Sequence, residues 1–260
     1  MSKILKEKII SVEKLTPLLF KLTLQSEYIA KNAKPGQFVN IKCSGGTDAL
    51  LRRPISICCV NREQSLFDIV FEVRGRGTEI LSQKKPGDIL DILGPLGKPF
   101  YVPKDNSKIA VVGGGIGIFP LLFLLKELKH TQNSAFLGFR SAENAVLLDE
   151  FKKECKNVYV TTDDGSLETK GFVTEILEQK LTEESYDIIY TCGPLAMMKR
   201  VNDLAQKHEI MCQVSFEERM GCGIGACLVC ACKTRKDDGW QYSHVCCDGP
   251  VFWGSDVIFD

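Results

Sequence analysis

Six of the chain's twelve cysteines fall between Cys222 and Cys247, and their spacing constrains the fold more than any other feature. Cys222-Gly-Ile-Gly-Ala-Cys227-Leu-Val-Cys230 reads C-x4-C-x2-C, with Cys246 and Cys247 further on. This is the plant-type ligand spacing of a [2Fe–2S] cluster, in which three thiolates come from one tight loop. Gly223 and Gly225 let such a loop wrap closely and reach positive φ. Its backbone N–H groups can then point at the sulfurs. A structural zinc site and a group of inert buried thiols are the competing readings. Zinc fingers use paired ligand motifs, whereas only one C-x2-C pair stands here. A Rieske centre needs two histidines, and His244 is alone in this region. Spacing does not choose between Cys246 and Cys247, and Cys232 is also surplus to a four-ligand site.

The region from Met211 is too small for a core of its own and needs a metal or disulfides to hold its shape. The other cysteines (Cys43, Cys58, Cys59, Cys155, Cys192 and Cys212) lie among apolar residues and read as small core side chains. Met1 to Lys8 carries charge without an apolar run behind it, so no secretory signal is read. The most apolar stretch, Ile116 to Leu125, is too short to span a bilayer. Lysine plus arginine equals aspartate plus glutamate, 33 each, so no net field favours nucleic acid or an acidic membrane. These features predict a cytoplasmic protein that binds neither. At 260 residues, two domains and an appendage are expected.

Up to about Leu93 the pattern is short and alternating. Phe20 to Leu24, Phe38 to Ile41, Ile55 to Val60 and Leu66 to Val73 read as strands, separated by turn residues such as Pro35-Gly36 and Asn61-Arg62. An antiparallel β-barrel over residues 1–101 is predicted, with a short helix at Thr78 to Lys85. From Lys108, strands alternate with helices, which implies a parallel-sheet α/β domain over 102–210. Its first helix is expected to run to about His130. Residues 211–260 form the cysteine-rich tail.

Two groups of residues carry further chemistry. Arg53-Pro54-Ile55-Ser56 opens a barrel strand, and Arg74-Gly75-Arg76-Gly77-Thr78 opens a helix. Free N–H groups at a helix start, with Arg53 as a fixed cation, suit a phosphate. The bland alternatives are a surface charge and a simple turn. Val112-Gly113-Gly114-Gly115-Ile116-Gly117 then joins a strand to a helix, which suits close approach of a nucleotide. It departs from the Rossmann fingerprint at Pro120, where Gly or Ala is wanted. Thr191-Cys192-Gly193-Pro194 and Asp163-Asp164-Gly165-Ser166 follow later strands. Tight strand–helix packing explains each glycine run equally well in isolation. Arg140 ends the second strand, where it suits a 2′-phosphate, and no acid stands there to read a 2′-hydroxyl.

The order R-x-x-S, strand, G-x-G-T resembles the FAD domain of the ferredoxin reductase superfamily. That resemblance implies that Arg53 contacts the FAD phosphates, with Pro54 and Ile55 beside it on the flavin strand. Ser56 would lie near the ring edge. Val70, Phe71 and Glu72 would line the ring and ribityl chain, and Gly77 and Thr78 would hold the pyrophosphate. The glycine turn followed by proline resembles the same superfamily's NAD(P) domain, with Gly113, Gly114, Gly115 and Gly117 at the nucleotide. Cys192, Gly193 and Pro194 would form its C-G-P motif, the cysteine near the nicotinamide.

The tail is more specific. Phe216 to Cys227 and Val245 to Phe252 resemble the electron-transfer subunit of NAD-linked, two-subunit dihydroorotate dehydrogenase. In that family the last cluster ligand precedes Gly-Pro with one residue and an acid between, which selects Cys246 beside Cys222, Cys227 and Cys230. The resemblance covers essentially the whole chain. It implies FAD, one [2Fe–2S] cluster and NAD as acceptor. It further implies an FMN-containing catalytic partner in a heterotetramer of two of each, and a role in pyrimidine biosynthesis. No acid–base catalytic residue is expected in this chain. A flavin/iron–sulfur subunit of a ferredoxin:NADP or sulfide oxidoreductase shares every module, and a zinc-stabilised nucleotide-binding module is the alternative from another class. Trp253 and Phe252 are candidates to face the partner, although core packing accounts for them equally well.

Overall fold

The computed structural model describes residues 2–129 and 131–259. Strands β1 (Lys3–Lys14), β2 (Leu19–Gln25), β3 (Phe38–Lys42), β4 (Arg53–Asn61), β5 (Leu66–Glu72) and β6 (Ile89–Leu96) close an antiparallel barrel in the order β1-β2-β5-β4-β3-β6. Period-two alternation explains the closure. Leu22 and Leu24 of β2, Ile41 of β3 and Phe67, Ile69 and Phe71 of β5 fill the interior. Between them, Thr23 faces outward and donates to Asp68 Oδ1 at 2.7 Å. Two short helices, α1 (Glu27–Asn32) and α2 (Arg76–Ser82), lie in the connections.

Next come β7 (Lys108–Gly114), α3 (Ile118–Glu127), β8 (Gln132–Phe139), α4 (Leu148–Glu154), β9 (Asn157–Thr162), β10 (Thr169–Lys170), α5 (Val173–Glu183), β11 (Ile188–Cys192), α6 (Leu195–Lys207) and β12 (Met211–Ser215). Beyond them a hairpin, β13 (Ala231–Lys236) with β14 (Gly239–His244), leads to β15 (Val251–Trp253). The sheet order is β10-β9-β8-β7-β11-β12-β15, parallel except for the antiparallel β15. The sheet therefore continues past residue 210 into both ends of the cysteine-rich region.

Helix α3 shows why its sequence is so apolar. Ile118 to Leu125 are all buried, because one side packs on the sheet and the other on the barrel. Phe123 reaches into the barrel core beside Ile57 and Phe71. The helix ends at Glu127, and the expected end near His130 lies outside the described residues. Among the described residues no helix is long and apolar enough to cross a membrane.

The tail borrows its core. Phe216, Cys230, Val245 and Cys246 join one buried cluster with Phe38 and Leu96 of the barrel and Val201 and Leu204 of α6. Gly97, at φ +81°, lies so close to Pro250 that a Cβ there would come within 2.4 Å of its Cδ. The Phe216 N–H donates to Pro250 O at 2.9 Å and ties the start of the tail to its return.

Removing Phe123 empties a core shared by two domains, so Phe123→Ala is expected to destabilise the fold by ~3–5 kcal/mol. Arg62→Ala breaks a partly exposed pair with Glu127 that also bridges barrel and α3. Its expected cost is below ~1 kcal/mol. Denaturant titration of both variants checks this. Equal losses would put the inter-domain stability in the ion pair instead.

Candidate functional site

The four cysteines singled out as cluster ligands converge, although Cys246 is far from the others in sequence. Gly223 (φ +76°) and Gly225 (φ +80°) take left-handed conformations that let the loop double back. Amides of that loop then aim at sulfur. Cys222 Sγ accepts from the N–H groups of Ile224, Ala226 and Cys227 at 3.4, 3.3 and 3.4 Å. Cys227 Sγ accepts from Cys222 N–H at 3.3 Å, and Cys246 Sγ from Gly225 N–H at 3.1 Å. Cys230 Sγ accepts from Cys246 N–H at 3.4 Å.

The sulfurs fall into two neighbouring pairs, since the Cys222 amide donates to Cys227 Sγ and the Cys246 amide to Cys230 Sγ. Two sulfurs on each side is the donor set that two bridged irons need. Burial pushes the Cys222 thiol up. The N–H groups aimed at it and the Cys227 thiol outweigh this and bring it down to about 6. At Cys246 burial dominates, and the neighbouring Cys230 adds to the upward shift. Cys247 is exposed, whereas Cys246 is only 2 % exposed and faces Cys230. The Cys247 side chain lies beside Gly225 of the loop and shares a surface turn with His244 and Asp248. Cys232 is half-buried on β13. All twelve cysteines are free thiols.

On the barrel, Arg53 and α2 meet. A Cβ on Gly77 would come within 2.6 Å of Arg53 Nε, so glycine lets the guanidinium lie against the first turn of the helix. Thr78 is less free than its sequence position implies. Its hydroxyl donates to Gly75 O at 3.0 Å and accepts from the N–H groups of Arg74 and Gly75. The Phe71 ring turns into the barrel and stacks on Phe20 at 6.1 Å, so it offers a flavin only its backbone. Val70 and Glu72 point the other way. Val70 packs against the α3 side, and Glu72 pairs with Arg74. Pro54 and Ser56 pair across β3 with Asn40 and Phe38, while Ile55 alternates with them and packs against the barrel core.

The nucleotide motifs meet at one point. Strand β7 has β8 on one side and β11 on the other, so the sheet order reverses between β7 and β11, where α/β sheets bind ligands. There Gly113 pairs with Cys192. The glycines serve packing. A Cβ on Gly117 would meet Cys192 O at 2.2 Å, and one on Gly114 would meet Met197 Sδ at 2.7 Å and Pro194 Cδ at 2.8 Å. Gly115 (φ +54°) and Gly193 (φ +151°) need positive φ. Burial pushes the Cys192 thiol up to about 12, against a hydrogen bond with Ser215 at the end of β12. The Asp163–Ser166 turn sits at the same sheet edge, where Ser166 Oγ accepts from Ala142 N–H at 2.7 Å. Arg140 is exposed just beyond β8.

Two features had no motif to announce them. Asn40 sits on an unremarkable strand yet donates from Nδ2 to Cys222 O at 3.3 Å. Ile224, Leu228 and Val229 around the cysteine loop are exposed, as are Trp240 and Tyr242 on the hairpin. Phe252 and Trp253, by contrast, pack against Phe216 and Tyr101.

Three family profiles tile the chain. An oxidoreductase FAD-binding domain matches residues 3–101, and an oxidoreductase NAD-binding domain matches 111–203. The iron–sulfur cluster binding domain of dihydroorotate dehydrogenase B matches 217–258. The dihydroorotate dehydrogenase B (NAD(+)) electron transfer subunit of Caldanaerobacter subterraneus subsp. tengcongensis is 42% identical over 255 residues, covering 98% of both chains. The chain belongs to that electron transfer subunit family. The corresponding protein of Desulforamulus reducens is 40% identical over the full length of both. Among solved structures, an NADH-dependent reduced ferredoxin-NADP oxidoreductase superposes with a TM-score of 0.86 at 34% identity, covering 98% of this chain and 90% of the other. A ferredoxin reductase of carbazole 1,9a-dioxygenase matches at 0.63 and 20% identity over 80% of this chain and 65% of its own, which is a likeness of fold.

The pairing of thiols predicts a sharp contrast between adjacent cysteines. Cys246→Ser and Cys222→Ser are expected to purify with less than half the wild-type iron and a bleached visible spectrum. Cys247→Ser is expected to keep both. Iron and sulfide assays on the three variants check this, and loss of iron from Cys247→Ser would reassign the fourth ligand.

Proposed function

We propose that this chain is the electron-transfer half of an NAD-linked dihydroorotate dehydrogenase, conveying electrons from a partner subunit to NAD⁺. The observation that carries this reading is the paired arrangement of Cys222, Cys227, Cys230 and Cys246, in a chain whose FAD, NAD and iron–sulfur domains follow one another as in its relatives. In this reading the three functional units are 1–101, 102–210 and 211–260. When bound, the cluster supplies one-electron transfer and FAD supplies the exchange between single electrons and a hydride.

The chain's own residues bind, orient and insulate. The loop amides neutralise charge on the four sulfurs. Arg53 and the first turn of α2, opened by Gly77 and Thr78, take the FAD phosphates. Pro54, Ile55, Ser56, Val70, Glu72 and the Phe71 backbone shape the flavin groove. Gly113, Gly114, Gly115 and Gly117, facing Cys192, Gly193 and Pro194 at the sheet's switch point, admit the dinucleotide. In this reading the hydride chemistry belongs to the cofactors, and none of these groups is assigned an acid–base role. NAD over NADP follows the relatives, since Arg140 gives no preference for an unphosphorylated ribose.

The partner in this reading is an FMN-containing catalytic subunit, in a heterotetramer of two of each. Exposed Ile224, Leu228 and Val229 make the cysteine loop an apolar prominence suited to such contact. Free thiols throughout fit the reducing cytoplasm. A second reading, service to a ferredoxin:NADP-type complex, is favoured by the 0.86 superposition on the NADH-dependent reduced ferredoxin-NADP oxidoreductase.

Protein purified without oxygen is expected to show flavin bands and about two irons and two sulfides per chain. Mixed with the FMN subunit, it should confer dihydroorotate-dependent reduction of NAD⁺. A colourless, zinc-containing protein would overturn the relay. A coloured protein that fails with the FMN subunit but reduces NAD⁺ with a ferredoxin partner would move it to the second reading.

A further inference from the structure

Asn40 lies between the two cofactor regions, and its chemistry is unusual for its position. On β3 its neighbours Val39 and Ile41 point into the barrel core, so Asn40 points outward. Cross-strand pairing puts it opposite Pro54, and Phe38 opposite Ser56, all on one outer face. An outward-facing amide is ordinarily solvated, but Asn40 is 0 % exposed because the cysteine loop covers it. Its Nδ2 donates to the carbonyl of Cys222, the first cysteine of the loop, at 3.3 Å. Its Oδ1 is buried and accepts no hydrogen bond among the described residues.

A half-satisfied buried amide costs stability that an apolar residue of similar size would not, so stability alone does not account for it. The loop is also shaped to receive it. Gly223 stands at φ +76°, and a Cβ there would come within 2.5 Å of Asn40 Nδ2. From the other side the backbone of Asn40 is held in place. Arg52 Nη1 donates to its carbonyl at 3.3 Å and to Asp91 O at 3.0 Å, while Nη2 pairs with Asp91 Oδ1 at 2.7 Å.

We propose that Asn40 is the positioning residue that sets the cluster loop against the flavin-bearing face of the barrel, and so fixes the electron-transfer distance between the two cofactors. This rests on the assignment above of the cluster to the cysteine loop and of FAD to the β4 face. Asn40 touches no reacting atom itself. It joins a cysteine's carbonyl to the strand beside Pro54, with Gly223 supplying the space.

The test uses the full chain, loaded with FAD and cluster, and follows NADH oxidation by stopped flow. Two phases are read, flavin bleaching and then cluster reduction, together with the rate of iron release to a chelator. In Asn40→Ala the first phase is unchanged and iron release is faster. The second phase slows several-fold, because electron tunnelling falls off steeply as the separation of the two cofactors grows. Gly223→Ala gives the same selective defect. The double variant is less than additive, because truncating the Asn40 side chain vacates the space the new Cβ needs. Native cluster reduction and native iron release in Asn40→Ala overturn the proposal. If Asn40→Ala does not hold the cluster, Asn40→Ser, which keeps a short donor, is read against the same two outcomes. Wild-type protein lacking flavin or iron overturns the underlying cofactor assignment instead, a result visible before any variant is made.

Discussion

The functional end of this molecule depends on the seating of a small cysteine-rich tail on a surface contributed by the other two domains. The tail's buried residues do not form a closed set. Cys230, Val245 and Cys246 are packed with Phe38 and Leu96 from the barrel and with residues of α6. Its two ends are held as well, one by continuation from β12 and the other by β15 pairing back onto β12. A segment of this size would not order itself by hydrophobic burial alone. Its cysteines can converge because the barrel and sheet hold the chain on either side of them.

The same economy of parts governs the rest of the chain. Helix α3 follows the glycine turn after β7 in the NAD-binding domain, and its Phe123 fills part of the barrel's core. One element therefore joins the nucleotide site to the barrel as a rigid unit. A tightly packed interface of this kind leaves little freedom for the domains to move against each other. Short-range transfer between cofactors benefits from that rigidity, because distance is then set by the fold rather than sampled by it.

Some of the sequence's signals have two physical explanations, and the structure shows the packing one at work. Gly114 and Gly117 open the turn after β7, yet each also lies where a Cβ would collide with the Cys192–Met197 segment. Thr78 stands in a phosphate-like motif, but its hydroxyl holds the turn at Gly75. Phe71 belongs to the strand expected at the flavin, but period-two alternation turns its ring inward. Residue identity singled out these positions without deciding what each side chain does there.

What the sequence by itself determined is local. Three cysteines within nine residues, spaced by glycines, can form one loop in few ways, so their convergence was legible from spacing. The alternation of strands and the change of rhythm near Lys108 likewise announced a barrel followed by a parallel sheet, because side-chain period follows backbone geometry. What only the tertiary structure decided is long-range. The pairing of buried Cys246, rather than exposed Cys247, with Cys230 is a matter of burial across sixteen residues. The meeting of Gly113 with Cys192 depends on strand order, and the reach of Asn40 to Cys222 spans 182 residues. Such contacts are set by sheet register and by which face of a strand the tail covers. A one-residue slip in register would reverse every one of those faces, and a short stretch of sequence does not encode register at that range.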